Sequence, residues 1–231
     1  LFNLLEERYP NAPKAAIGYS LGGNVLLKYL GETRKDNILD AALAVSVPFD
    51  LASSSESMDK GFCKLYQWDI LKNLRRIVER KAKVYPMPLE VKNLKKIRTF
   101  ADFDEMITAP LYGFADAQDY YERTSCRPLL KYITVPTLII QGEKDPFTTY
   151  RNPPTEHELS SKTTLEWVKG AGHVGFITGA IPGKHSYWLD TKIIKHLEPL
   201  LKSHAAHTIS PQNTANASPH AQPANVMEND H

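Results

Sequence analysis

One short stretch, "GYSLGG" at residues 18–23, constrains this chain more than any other. Before it, "KAAIGY" is a short, mostly apolar run of strand length. After it, "LGGNVLLKYLGE" returns to helical spacing and stops near Gly31. A serine between glycines at a strand-to-helix junction must occupy a strained turn that lifts its Oγ clear of the sheet. Side chains at positions 18 and 22 are expected to collide with the neighbouring strand and helix. The helix follows at once, so its N-terminal amides face Ser20. The backbone N–H of Leu21 is then the natural oxyanion-hole donor to any anion forming there.

The rest of the chain supplies a setting for such a turn. "AALAVSVPF" (Ala41–Phe49), "ITVPTLIIQG" (Ile133–Gly142) and "TTLEWV" (Thr163–Val168) read as further buried strands. The stretch after Gly183, "KHSYWLDTKIIKHLEPLL", reads as an amphipathic closing helix, and "LFNLLEERY" as an opening one that Pro10 ends. Strands that are apolar throughout and alternate with helices predict a mostly parallel sheet with helices on both faces. From Ser53 to about Arg127 only helical patterns occur, which predicts a helical cap inserted between two sheet strands. The expected organisation is an elbow-bearing α/β part over 1–50, the cap over 51–127, a second α/β part over 128–202, and a disordered tail over 203–231.

In that setting Gly-x-Ser-x-Gly is the nucleophile elbow of α/β-hydrolases. A serine hydroxyl is a poor nucleophile until a base takes its proton, so an acid and a histidine must follow, in that chain order. Asp145, in "EKDPF" after the strand "VPTLIIQG", stands where open α/β sheets place ligand sites, at the carboxyl end of a parallel strand. Glu143 and Asp116 are its rivals; Glu143 comes directly after the strand's closing Gly142, and Asp116 falls in the cap. Among eight histidines, His173 lies in the glycine-lined loop "VKGAGHVGF" after "TTLEWV". His185 and His196 belong to the closing helix, His157 to a surface helix, and the other four lie in or beside the tail. Ser20, Asp145 and His173 form the expected catalytic set, attacking an ester or thioester through an acyl-enzyme. Serine at the elbow, rather than aspartate, argues against dehalogenase and epoxide-hydrolase chemistry.

Composition narrows the alternatives. A formal net charge of +2 without a basic-aromatic motif gives no support for nucleic-acid binding. No apolar run approaches the ~20 residues needed to cross a bilayer, so no integral membrane segment is expected. Cys63 and Cys126 offer neither a disulfide framework nor metal-ligand spacing, and a reduced, cytoplasmic protein without a metal site is expected. Within the cap, residues 60–98 hold twelve Lys or Arg against three acids. Ile70, Leu74 and Ile77, with Leu71 and Val78, give the basic helix an apolar side, expected to pack the cap onto the hydrolase core. Peripheral contact with anionic lipid through the basic face is the alternative. The aromatics of "YGFADAQDYY" are expected under the cap, near an acyl pocket.

The chain resembles the YheT-like α/β-hydrolases. The resemblance rests on "GYSLGGN", on "MDKGFCKLY" opening the insertion, on "IRTFADFDEMITAPLYGFADAQDYY", on "PTLIIQGEKDPF" and on "AGHVGF", and it runs from Pro13 to about Leu200. It implies a carboxylic-ester hydrolase for short- or medium-chain acyl esters or acylglycerols, acting on a small ester or lipid without a cofactor. An alcohol O-acyltransferase with the same residues, or a weakly active or inactive hydrolase fragment that serves as a binding module, are the alternatives. The family's sheet has eight strands with the elbow after the fifth, whereas this chain starts at the elbow strand. The expected fold is therefore the C-terminal part of an α/β-hydrolase fold, with Ala15–Tyr19 at a sheet edge. The loop that supplies the family's second oxyanion donor has no counterpart here, so the chain is expected to be a fragment or truncation with reduced turnover.

Overall fold

The computed structural model describes residues 2–87, 91–148, 153–181 and 184–208. The first helix, α1 (Phe2–Arg8), leads to β1 (Ala15–Tyr19), and α2 (Leu21–Thr33) follows the intervening Ser20. β2 (Ala41–Val45) comes next. Before the next strand lie α3 (Leu51–Met58), α4 (Cys63–Lys81), α5 (Phe100–Phe103), a π-helical turn (Asp104–Thr108), α6 (Ala109–Tyr112) and α7 (Ala117–Thr124). β3 (Thr137–Gly142) and β4 (Thr163–Val168) complete a parallel sheet in the order β1-β2-β3-β4. Among the described residues β1 is an edge strand, and its Ile17 and Tyr19 are exposed.

Alternation along β2 and β3 explains why β2 is apolar at every position and β3 is apolar over residues 138–140. Ala42, Ala44 and Ile139 face one core with Leu26, Leu27 and Leu30 of α2 and Leu130. Ala41, Leu43, Val45, Leu138 and Ile140 face the other, whose cover includes Phe176 and, on the last helix, Leu189 and Leu197. Both faces are covered, so apolar residues dominate both parities, and the polar Thr137 and Gln141 near the ends of β3 are buried with hydrogen-bond partners. Each fully buried leucine or isoleucine contributes about 1.5–3 kcal/mol relative to an exposed one.

The helical stretch between β2 and β3 has a core of its own. Leu71 and Val78 of α4 pack with Leu94, Ile97 and Ile107, none of which belongs to the sheet. The apolar side of α4 thus divides. Leu71 and Val78 hold the insert together, Ile70 and Leu74 line a cavity, and Ile77 stays partly exposed. The buried stripe of α4 packs on its own neighbours, the residues at 94–97 and the π turn, and not, as the sequence leads one to expect, on the sheet.

The carboxyl end also departs from the expectation. Ile177–Ile181 and Lys184–Tyr187 form an antiparallel pair, β5 and β6, and the closing helix α8 starts only at Trp188. "KHSY" is too short for periodicity to separate it from the amphipathic helix that it adjoins. α8 continues to Thr208, into the stretch read as a tail; residues 209–231 lie outside the described residues.

Candidate active site

Ser20 has φ 50° and ψ −124°, between β1 and α2. Non-glycine residues seldom adopt a positive φ, and such strain costs about 1–3 kcal/mol. Three backbone bonds hold it in place. The Ser20 N–H donates to the Val45 carbonyl of β2 at 2.8 Å, and the Ser20 carbonyl accepts from the N–H groups of Gly23 and Asn24. The Leu21 N–H makes no hydrogen bond among the described residues, and it opens a helix whose dipole favours negative charge.

The glycines around Ser20 have different roles. A Cβ at Gly18 would lie 2.5 Å from the Gly22 carbonyl oxygen and 2.7 Å from the Gly23 Cα. At Gly23 it would meet Val47 Cγ2 at 2.8 Å, whereas at Gly22 it would meet nothing within 4 Å. The collisions expected at 18 and 22 therefore fall at 18 and 23. The helix leaves the strand at an angle that turns the Gly22 α-carbon toward open space and drives Gly23 against the end of β2.

Ser20, Asp145 and His173 form a hydrogen-bonded line. His173 Nε2 lies 3.0 Å from Ser20 Oγ, and its Nδ1 lies 2.8 Å from Asp145 Oδ2. Asp145 is fully buried, and its Oδ1 accepts from the Phe147 N–H at 2.9 Å and the Thr148 N–H at 3.3 Å. A carboxylate can only accept, so Nδ1 carries the proton and the Nε2 lone pair faces the serine hydroxyl. The Phe147 ring meets the imidazole edge-on, with centroids 4.7 Å apart. Of the rival acids, Glu143 is exposed, and Asp116 caps α7 by accepting from the Asp119 N–H. His157 is exposed in a short 3-10 turn; His196 lies on α8, with burial and Lys192 lowering its pKa. The His185 side chain lies outside the described residues.

Several supporting groups gave no signal in the sequence. The Val174 N–H, at φ 47°, donates to Ser46 Oγ at 3.1 Å, which ties the histidine loop to the end of β2. Gln141 at the end of β3 holds both backbone groups of Val47. Asn24 of α2 is buried and spans to the close of the insert, donating to the Thr124 carbonyl and accepting from the Cys126 N–H. Each joins segments about 100 residues apart, so no local pattern marks them.

Ser20 and His173 open on a cavity of about 470 Å³, a size usual for small-molecule sites. Its walls are mainly apolar, with Leu51, Met58, Leu74, Phe100 and Phe103 from the insert and Leu21 beside the serine. Tyr120 and Tyr121 line it too, so the "DYY" aromatics do sit at the cavity. Among the described residues no cluster of His, Cys, Asp or Glu is placed to hold a metal, and no helix is long and apolar enough to cross a membrane.

Comparison with known proteins agrees with this architecture. The family model for the alpha/beta hydrolase fold matches residues 1–180. The chain is 39% identical to the putative esterase YheT of Escherichia coli, an alignment that takes in 86% of this chain and 59% of that protein. It is 30% identical to a monoacylglycerol lipase of Saccharomyces cerevisiae, over 75% of this chain and 40% of that one. It is 29% identical to human phospholipase ABHD3, over 78% and 44% respectively. The chain thus spans about three-fifths of the length of the first relative and less than half of the other two. It belongs to the α/β hydrolase fold family, as a YheT-like member.

Proposed function

We propose that this chain carries the catalytic residues of a serine hydrolase that cleaves carboxylic esters, with short- or medium-chain acyl esters or acylglycerols as substrates. One observation carries the reading: an unbroken line from the buried Asp145 through His173 to a strained Ser20 at the mouth of an apolar cavity. Ser20 Oγ attacks the ester carbonyl as His173 Nε2 takes the hydroxyl proton. Asp145 orients the imidazole and stabilises its charged form without taking the proton. The Leu21 N–H supports the oxyanion. Collapse of the tetrahedral intermediate expels the alcohol, protonated by His173, and leaves the acyl group on Ser20. Water, deprotonated by His173, then attacks the acyl-enzyme and releases the acid.

A fluorophosphonate probe and a p-nitrophenyl ester test this together. Labelling and turnover by the wild-type chain, both abolished in Ser20→Ala, are expected. Turnover that persists unchanged in Ser20→Ala would overturn the assignment.

A further inference from the structure

The wall of the cavity built by the helical insert contains polar groups that the proposed chemistry does not use. Asp104 opens the π-helical turn, a geometry often found at functional sites, and lines the cavity. Its Oδ1 accepts from the Thr108 hydroxyl at 2.7 Å and its Oδ2 from the Tyr121 hydroxyl at 2.8 Å. Tyr121 has a single proton, so the nearby Ser55 hydroxyl, 3.2 Å away, donates to it rather than accepting. A carboxylate offers about four acceptor positions, and two here remain unused. Asp104 forms no ion pair among the described residues. Ser54 lines the same cavity and is more than nine-tenths buried, and its hydroxyl has no hydrogen-bond partner among the described residues.

An apolar cavity with a spare acceptor and an unspent hydroxyl leaves a hydrogen-bonding deficit, and an apolar ligand end would make that deficit permanent. We propose that Asp104 and Ser54 form a specificity subsite for a free hydroxyl on the ester substrate, as in a mono-ester of a polyol or a hydroxyacyl ester. The hydroxyl donates to an unused Asp104 lone pair and accepts from Ser54, whose Oγ turns about χ1 to meet it. Burial pushes the Asp104 carboxyl above the ordinary carboxylate range. A hydroxyl suits either protonation state of Asp104, whereas a cationic ligand needs the charged one and must enter past the insert's excess of Lys and Arg. The inference rests on the ester-hydrolase reading for the rest of the substrate.

Binding to the full chain carrying Ser20→Ala tests the subsite without turnover, by displacement of a fluorescent fatty-acid probe from the cavity. Four ligands share one scaffold: propyl hexanoate, monohexanoylglycerol, propyl ω-hydroxyhexanoate and hexanoylcholine. A hydroxylated ester is expected to bind about ten- to a hundredfold more tightly than propyl hexanoate. Which of the two gains tells whether the hydroxyl lies on the alcohol or on the acyl side. That advantage should fall to within about threefold in Asp104→Asn, which exchanges an acceptor oxygen for a donor, and in Ser54→Ala. Ser54→Ala removes an unsatisfied buried group, so its Tm should hold or rise, which separates lost recognition from lost folding. Equal binding of the hydroxylated and propyl esters would overturn the proposal. So would an advantage that survives both substitutions, an Asp104-dependent gain confined to hexanoylcholine, or failure of all four to displace the probe. The ester-hydrolase reading fails on a separate result, unchanged turnover in Ser20→Ala.

Discussion

The two walls of the cavity are built on opposite plans. On the strand-end wall the side chains in line with Ser20 are matched: Asp145 accepts three hydrogen bonds, both His173 nitrogens are engaged, and Ser46 and Gln141 pin the loops behind them. Ser20, Ser46 and Val174 all adopt positive φ there, strain that only a dense surrounding can hold in place. On the wall from the insert, Ser54 has no partner among the described residues, Asp104 has spare acceptor capacity, and the supporting core is a separate cluster around Leu71. Proton transfer needs fixed geometry, which strand ends supply. Selectivity needs a surface that leaves bonds for the ligand to make, and a helical module with its own core can vary without disturbing the line behind Ser20.

The sharpest way to break this contrast is Asp145→Asn. It should cost ester turnover about 10⁴-fold, because the amide favours the wrong imidazole tautomer, with little change in Tm. A loss below tenfold would mean that the strand-end wall does not do the chemistry. The separate core of the insert is tested by Leu71→Ala. This should destabilise by about 2–5 kcal/mol in denaturant titration. Hydrogen exchange should rise over residues 63–81 and stay unchanged in β2 and β3; uniform acceleration would show one shared core instead of two. Within the elbow, Gly18→Ala should cost about 1–3 kcal/mol from the forced backbone shift. Gly22→Ala should be neutral or gain up to about 1 kcal/mol in thermal melts, as alanine favours the helix. Similar losses at both would refute the direction in which α2 leaves β1.

The smallest effect lies at the seam between the 3-10 turns at 127–132 and 156–158. Arg127 Nε and Glu158 Oε1 are 2.7 Å apart there. The Arg127 hydrogen bond, aided by the Thr155 N–H, holds the Glu158 carboxyl down to about 2 from an ordinary 4.5. The folded form thus releases this proton more readily than the unfolded one. Its stabilisation is present above about pH 4.5 and is lost as pH falls toward about 2. The difference in stability between wild type and Glu158→Gln should accordingly shrink across that window in acid titrations, and a constant difference would dismiss the pair as a contributor.

Much of this molecule was readable from local chemistry. Apolar runs at 41–45 and 138–140 announce strands covered on both faces, and glycines beside Ser20 announce a strained junction, because side-chain alternation and Cβ sterics act over a few residues. The same reasoning misplaced one glycine collision and overlooked the β5–β6 pair. Cβ clearance depends on the exit angle of a helix, and four-residue strands carry no usable period. The order Ser20, Asp145, His173 could be set out along the chain as an expectation, but the 3.0 and 2.8 Å separations that join their side chains belong to the tertiary structure. So do the Ser46–Val174 bond, the Asn24 bridge to the insert and the meeting of Asp104 with Tyr121. Residues far apart in sequence meet only when helices cross at particular angles over the sheet. Those angles come from the packing of whole elements, which no single stretch of sequence encodes.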